Sequence, residues 1–333
     1  MAACSNRGSK LAIRAFTVTT TNEIQNITCA ITTGQKPGLI PRFKNIAKSE
    51  APRTTSGVAI VKKISVFVVK EWQLDGMKEE AALRNQYGDH VEVLSQSEVQ
   101  ARVNSPIYKG ALWDADGTAL VDPARLVWGL EKVCLKLGVK IYENSKVEWL
   151  ERTSDGIIVH TPYGSVYSDK VALATNVFKS LIKRARKYVV PVYDFQLVTE
   201  PLTPEQWKAI GWSGKEGLSE AGNQFHYYRV TSEGAILWGG YDAIYHFRGK
   251  ARQEYETDAE TYAYLAADFL ETFPQLKGIK FTHGWGGAID TCSRFAPFWG
   301  RAYRKRVAYV LGFTGLGVPW PSRAPNCESP VSA

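Results

Sequence analysis

The 333-residue sequence predicts a mixed α/β (α+β) fold in two interleaved parts. Three observations carry this. Over residues 110–185 a capped helix, a hairpin and an unbroken apolar strand follow one another, as in a sheet covered by helices. Over 186–300 strand-like segments dense in Trp and Tyr alternate with turns, as in an antiparallel sheet. At 306–318 an apolar strand returns and runs into the glycine-lined turn "GFTGLGV".

The elements follow in chain order. Residues 1–57 show no sustained periodicity, are rich in Ser, Thr, Asn, Lys and Arg, and carry no acidic residue before Glu23. That composition reads as a disordered basic leader, with an organellar transit segment as the alternative to an ordinary cytoplasmic chain. "MKEEAALRNQYG" (77–88) predicts a short helix ended by Gly88. Ser95 and Glu98 form a capping box ahead of a second helix. In "VDPARLVWGLEKVCLKLGV" Asp122 caps, Pro123 takes the first turn and Gly138 closes. Its Leu126, Val127, Leu130, Val133 and Leu137 fall on one face, which predicts a buried stripe. "VKIY" (139–142), "GIIVHTP" (156–162), "GSVYSD" (164–169) and "KVALAT" (170–175) read as strands, the middle two joined by a Pro-Tyr-Gly turn. "KYVVPVYDFQLVTE" predicts a long strand, "TPEQWKAIG" a capped helix, and "NQFHYYRVTSEGAILWGGYDAIYHF" two strands about a Ser-Glu-Gly turn. "TDAETYAYLAADFLETFP" predicts a helix with a Thr257/Glu260 capping box. "FTHGWGGAIDT" and "RVAYVLGF" close the series as strands.

Composition narrows the function. The net charge is +8, but residues 1–70 hold 11 Lys+Arg against 2 Asp+Glu, while the remainder balances 30 against 31. The charge belongs to the leader, so no nucleic acid is expected as a partner. The five Cys show no C-x-x-C spacing and the five His no ligand spacing, so no metal is expected and a reducing compartment fits. No apolar run reaches about 18 residues, so no membrane span is expected.

The segments "GALWDADGTALVDPARLVWGL", "VALATNVF", "VVPVYDFQLVTEPL", "GNQFHYYRVT", "ILWGGYDAIYH", "HGWGGAIDTCSRF" and "GFTGLGV" stand in an order and spacing that resembles the FAD-dependent D-amino-acid oxidase superfamily. Within it, residues 75–318 look most like the γ-glutamylputrescine oxidase-type branch. The resemblance implies an incomplete FAD-binding Rossmann-like domain interleaved with an antiparallel-sheet substrate domain. The implied boundaries are a leader over 1–57, partial FAD-binding domain with cap elements over 58–185, substrate domain over 186–300, last strand and flavin-facing turn over 301–318, and a tail over 319–333.

It also implies FAD as cofactor, a small-molecule amine or amino acid as substrate, and oxidation of a C–N bond by hydride transfer to the flavin. Val147 takes the family's place beside the adenine, or is plain core. Ala174, Thr175 and Asn176 pass close to the cofactor, and Gly312, Phe313, Thr314, Gly315, Leu316 and Gly317 form the flavin-facing turn. His226, Tyr228, Tyr241 and Trp285 line the implied substrate pocket, and Arg294 is either a carboxylate ligand or a surface cation.

Two departures stand beside the resemblance. No G-x-G-x-x-G occurs anywhere in the sequence, although the family's phosphate grip needs one. After Val318, prolines at 319, 321, 325 and 330 rule out a continuous helix. Both departures predict a chain lacking the two ends of the family fold, with a non-catalytic remnant acting at most as an interaction protein as the alternative to an enzyme.

Overall fold

The structure, a computed structural model, describes residues 64–114, 120–222 and 224–317, and of Tyr241 only the backbone. The expected leader and tail lie outside the described residues. The first strand, β1 (Ile64–Val68), leads into helix α1 (Gln73–Gln86). This helix starts four residues before the expected Met77, because the Gln73 side-chain oxygen accepts the Lys70 amide at 3.0 Å. It stops ahead of Gly88, whose φ of 90° needs no Cβ. Strand β2 (Val91–Ser95) then passes into α2 (Gln96–Arg102) through the expected capping box. Ser95 N–H donates to Glu98 Oε2 at 2.8 Å, and the Glu98 amide reaches back to Ser95 Oγ at 3.4 Å.

Strand β3 (Gly110–Asp114) precedes α3 (Pro123–Lys136). As expected, Asp122 Oδ1 accepts the Arg125 amide at 3.0 Å, and Gly138 at φ 82° follows the last turn. The apolar stripe, however, is not buried. Leu126, Val127 and Leu130 are half-covered, while Val133 and Leu137 are 52% and 68% exposed. No described element packs closely on that face. The "VKIY" stretch, expected as a strand, joins none of the sheet ladders among the described residues.

Strands β4 (Trp149–Arg152), β5 (Ile157–Thr161) and β6 (Gly164–Ser168) form a meander with the expected hairpin. The buried strand β7 (Val171–Leu173) follows, then the ten-residue β8 (Val190–Thr199). Helix α4 (Pro204–Ile210) is capped by Thr203 and closed by Gly211. Next come β9 (Gly217–Glu220), β10 (His226–Val230) and β11 (Ile236–Ile244). Helix α5 (Ala259–Thr272) is capped by Asp258, whose Oδ1 accepts the Glu260 amide at 3.1 Å, rather than by the expected Thr257. Strands β12 (Phe281–Thr291), β13 (Phe298–Ala302) and β14 (Val307–Leu311) complete the described chain.

Three sheets result among the described residues. The largest runs β12-β8-β11-β10-β9-β1-β3-β2; two three-stranded sheets run β13-β14-β7 and β4-β5-β6. The large sheet crosses the implied boundary at residue 186, because β1 pairs in parallel with β9, from Ile64 opposite Gly217 to Phe67 opposite Glu220. Its main core packs Tyr193, Phe195, Leu197, Tyr228 and Trp238 against Leu265 and Phe269 of α5 and Phe273 just after it. Along β8 the side chains alternate, so Asp194 and Gln196 point to the other face. A second core joins the two small sheets through Ile157, Val159, Val171, Leu173, Val307 and Leu311.

Candidate functional site

Strands β7 and β14 run parallel, with Val171 opposite Val307 and Leu173 opposite Tyr309. Their carboxyl ends therefore emerge side by side, and Ala174–Asn176 and Gly312–Gly317 leave from the same edge. In open α/β sheets this edge is where ligands sit. Ala174 is exposed, and Asn176 adopts φ 49°. Thr175 Oγ1 is buried with no hydrogen-bond partner. A buried hydroxyl without a partner costs free energy unless a ligand or water satisfies it.

The glycine turn is fixed from β12. Asp290 Oδ2 accepts the amides of Gly312 (2.7 Å) and Phe313 (3.2 Å), and the Asp290 carbonyl accepts the Thr314 amide at 3.2 Å. The Leu316 amide donates to the Phe313 carbonyl at 2.9 Å. The turn thus spends its donors chiefly on Asp290, leaving the amides of Gly315 and Gly317 without an acceptor among the described residues. Gly312 sits at φ 77°, and a Cβ there would stand 2.8 Å from Cys292 Sγ and 2.9 Å from the Phe298 ring. Gly315, at φ 81°, has nothing within 4 Å of its missing Cβ and borders open space. Burial pushes the Asp290 carboxyl above its usual range, and the hydrogen bonds from Phe313 and Gly312 oppose that rise.

A polar row crosses the large sheet on the face away from α5. Trp285 of β12 lies opposite Gln196 of β8, Gln196 opposite Gly239 of β11, and Gly239 opposite Tyr227 of β10. A Cβ on Gly239 would meet the Tyr227 ring at 2.4 Å, so the absent side chain lets the tyrosine lie flat across the strand. From there the Tyr227 hydroxyl donates to Asp194 Oδ2. Gln196 Nε2 donates to that hydroxyl at 2.6 Å and to Asp194 Oδ2 at 3.2 Å. Asp194 is 6% exposed, and its Oδ1 has no partner. Burial raises its pKa to about 7, against the hydrogen bonds of Tyr227 and Gln196, with the charge of Asp242 adding to the rise. A carboxylate so placed binds a cation or exchanges a proton near neutral pH.

The two features share β12. Asp194 lies opposite Gly287, three residues before Asp290, a separation of about 10 Å along the strand. Trp285, half-buried, belongs to this face. His226 and Tyr228 do not; alternation along β10 turns them into the core. His226 Nδ1 contacts Glu220 at 2.9 Å and its Nε2 contacts Asp268 at 3.2 Å, while its ring stacks 4.7 Å from Trp238. The Tyr228 hydroxyl bonds the buried Tyr108 hydroxyl. The side chain of Tyr241 lies outside the described residues. Arg294 is exposed between β12 and β13, and Val147 is buried in the core between the small sheets.

Asp194, Gln196 and Tyr227 escaped the sequence reading. The signal was the period of "VYDFQL", which puts Asp and Gln together on one face of a strand otherwise apolar.

Residues 47–320 match the protein family described as FAD dependent oxidoreductase (DAO). The chain is similar to a probable oxidoreductase OrdL of Haemophilus influenzae, 26% identical over 266 residues, 77% of this chain and 58% of the relative. It is 28% identical over 250 residues to a gamma-glutamylputrescine oxidoreductase of Escherichia coli, covering 74% of this chain and 55% of the relative. The chain thus spans little more than half the length of these curated relatives. Among solved structures, the L-proline dehydrogenase from P. horikoshii superposes with a TM-score of 0.66 at 18% identity, over 78% of this chain and 69% of that one. A glycine oxidase from Geobacillus kaustophilus gives 0.66 at 17% identity, over 78% and 68%. These likenesses bear out the fold.

Proposed function

The chain belongs to the DAO family of FAD dependent oxidoreductases, and on that premise we propose that it carries the flavin-ring and substrate side of an enzyme oxidising the C–N bond of an amine or amino acid. The observation that carries the reading is the common edge of β7 and β14, where Thr175 Oγ1 is buried without a partner and the missing Cβ of Gly315 faces open space.

The residues present fit the ring end of FAD. An unpaired hydroxyl, an asparagine at φ 49° and two amides without acceptors are donors suited to a planar, hydrogen-bonding ligand. Thr175, Asn176, Gly315 and Gly317 would hold it, with Asp290 keeping the turn in place. Gly312 and Phe313 hold the turn rather than the ligand, because Asp290 takes their amides. Bound FAD supplies the acceptor for the hydride leaving the carbon next to nitrogen. This chain's part is to hold the substrate and its proton. Trp285 offers an apolar wall. Asp194 Oδ1 pairs with the substrate ammonium and takes its proton, which a carboxyl titrating at about 7 does near neutral pH. Tyr227 and Gln196 fix Asp194 Oδ2, which leaves the buried Oδ1 as the oxygen without a partner. His226 and Tyr228 support the strand from behind.

Full-length protein titrated with FAD tests this. FAD binding raises the melting midpoint, since a ligand that binds only the folded state stabilises it, and quenches flavin fluorescence. Thr175→Val weakens the affinity by about tenfold, the worth of one hydrogen bond to a polar ring. Protein that neither gains stability nor quenches flavin at any FAD concentration rules the proposal out.

A further inference from the structure

We propose a second ligand site, a small-polyanion pocket between the β4–β5 turn and the β13–β14 turn, for a ligand carrying phosphate or carboxylate groups. The cavity, about 240 Å³, is lined by Arg152, Thr153, Ser154, Tyr303, Arg304 and Arg306. Three arginines face one concavity that no carboxylate lines. Among the described residues, Arg152 and Arg304 join no ion pair. Arg306 spends one donor on the Asp169 carbonyl at 3.2 Å and keeps the rest of its fork. The neighbouring Asp155 does not line the cavity, and its Oδ1 is approached by the hydroxyls of Thr153 (3.3 Å) and Ser154 (3.4 Å). Guanidinium groups gathered without counter-charge repel one another, and a planar oxoanion meets their donors in pairs.

The backbone gives an independent reason. The Arg306 amide donates to the Tyr303 carbonyl at 3.2 Å, closing a turn whose central residues are Arg304 and Lys305. Their φ values are 54° and 67°, and Tyr303 precedes them at 51°. A hairpin turn with both central residues at positive φ strongly prefers Asn and Gly. Two long cations occupy these positions instead, and of these Arg304 lines the cavity, so the chain places an arginine there against its own backbone preference. Residues held in sparsely populated φ/ψ regions cluster at ligand and active sites.

The pocket is separate from the flavin-facing edge. Its turn enters β14, whose five residues lead to Gly312 at the far end, roughly 17 Å away. Anion binding here relieves repulsion in the folded state and therefore stabilises it.

The test uses the full chain and two probes, inorganic pyrophosphate and citrate, each against sodium chloride of matched ionic strength. At about ten times Kd a bound probe raises the melting midpoint by roughly 3 °C over the chloride control; which probe acts distinguishes phosphate from carboxylate chemistry. The double variant Arg304→Asn/Lys305→Gly melts higher than the wild type without anion, because the turn is relieved, and loses the probe-dependent shift. Arg152→Gln, outside the turn, also loses the probe-dependent shift, and its anion-free midpoint rises less than that of the double variant because only repulsion, not the turn, is relieved. The proposal is overturned if neither probe exceeds chloride, or if Arg152→Gln or the double variant retains the full shift.

Discussion

Asp290 of β12 and Gly312 at the end of β14 are joined by a 2.7 Å hydrogen bond from the glycine amide to a carboxylate that is almost wholly buried. This bond connects the large mixed sheet to the parallel pair β7 and β14. It also decides which amides of the glycine turn remain for a ligand.

Removing the carboxylate leaves two amides without an acceptor in a confined space. Asp290→Ala is expected to lower unfolding free energy by about 2–4 kcal/mol, read from urea denaturation, and to reduce FAD affinity in parallel. Asp290→Asn, which keeps one acceptor oxygen, loses less. Equal stability of wild type and Asp290→Ala would contradict the role given to this bond.

Gly312→Ala meets two obstacles, a φ of 77° and a Cβ 2.8 Å from Cys292 Sγ. The expected loss is about 2–4 kcal/mol. Pairing it with Cys292→Ala, which removes the nearest obstructing atom, recovers part of that loss. A double variant no more stable than Gly312→Ala alone argues against the contact.

Asp194 gives a pH signature whose sign is fixed. Its pKa rises from 3.8 in the unfolded chain to about 7 in the folded one, so between these values the folded state holds a proton the unfolded state has lost. Stability therefore falls as pH rises through this window and levels off above about pH 7, by on the order of 4 kcal/mol in all. Asp194→Asn lacks this slope and overtakes the wild type toward pH 8. A wild-type-minus-variant difference that stays constant from pH 4 to 8 excludes a perturbed Asp194.

His226 behaves in the opposite sense to an ordinary buried histidine. Burial lowers its pKa, but the hydrogen bond and charge of Glu220, with Asp268, outweigh that and raise it above 6.5. Its stabilising contribution is complete below pH 6.5 and is lost as pH rises through the raised value. His226→Gln is expected to be about 2 kcal/mol less stable than the wild type at pH 6, with the gap narrowing in alkali. A gap that widens above pH 8 is the contrary result.

The caps, the hairpin of β5 and β6, the long strand β8 and the returning strand β14 were legible because each depends on neighbours within a few residues. Ser95 and Glu98, or Asp122 and Arg125, find each other along the chain and need no partner from elsewhere. The family was legible for a related reason, since its segments are short and lie in order. Less local features were not. The face to which His226 and Tyr228 turn depends on the register of β10 against β11, and a shift of one residue exchanges the two faces. The stripe on α3 was read correctly as amphipathic, but a stripe states what can be buried, not what covers it. Thr257 and Asp258 are both good caps, and only the backbone course before α5 chose between them.

By itself, then, the sequence determined the helices, most of their caps, the strands β5–β8, β10–β12 and β14, and the family to which the chain belongs, because propensity, capping and segment order act over short spans. The tertiary structure alone decided that Tyr227, rather than His226 or Tyr228, shares a sheet face with Asp194 and Trp285, and that Asp290 takes the first amides of the glycine turn. Strand register and burial set both outcomes, and each arises between residues far apart in the chain.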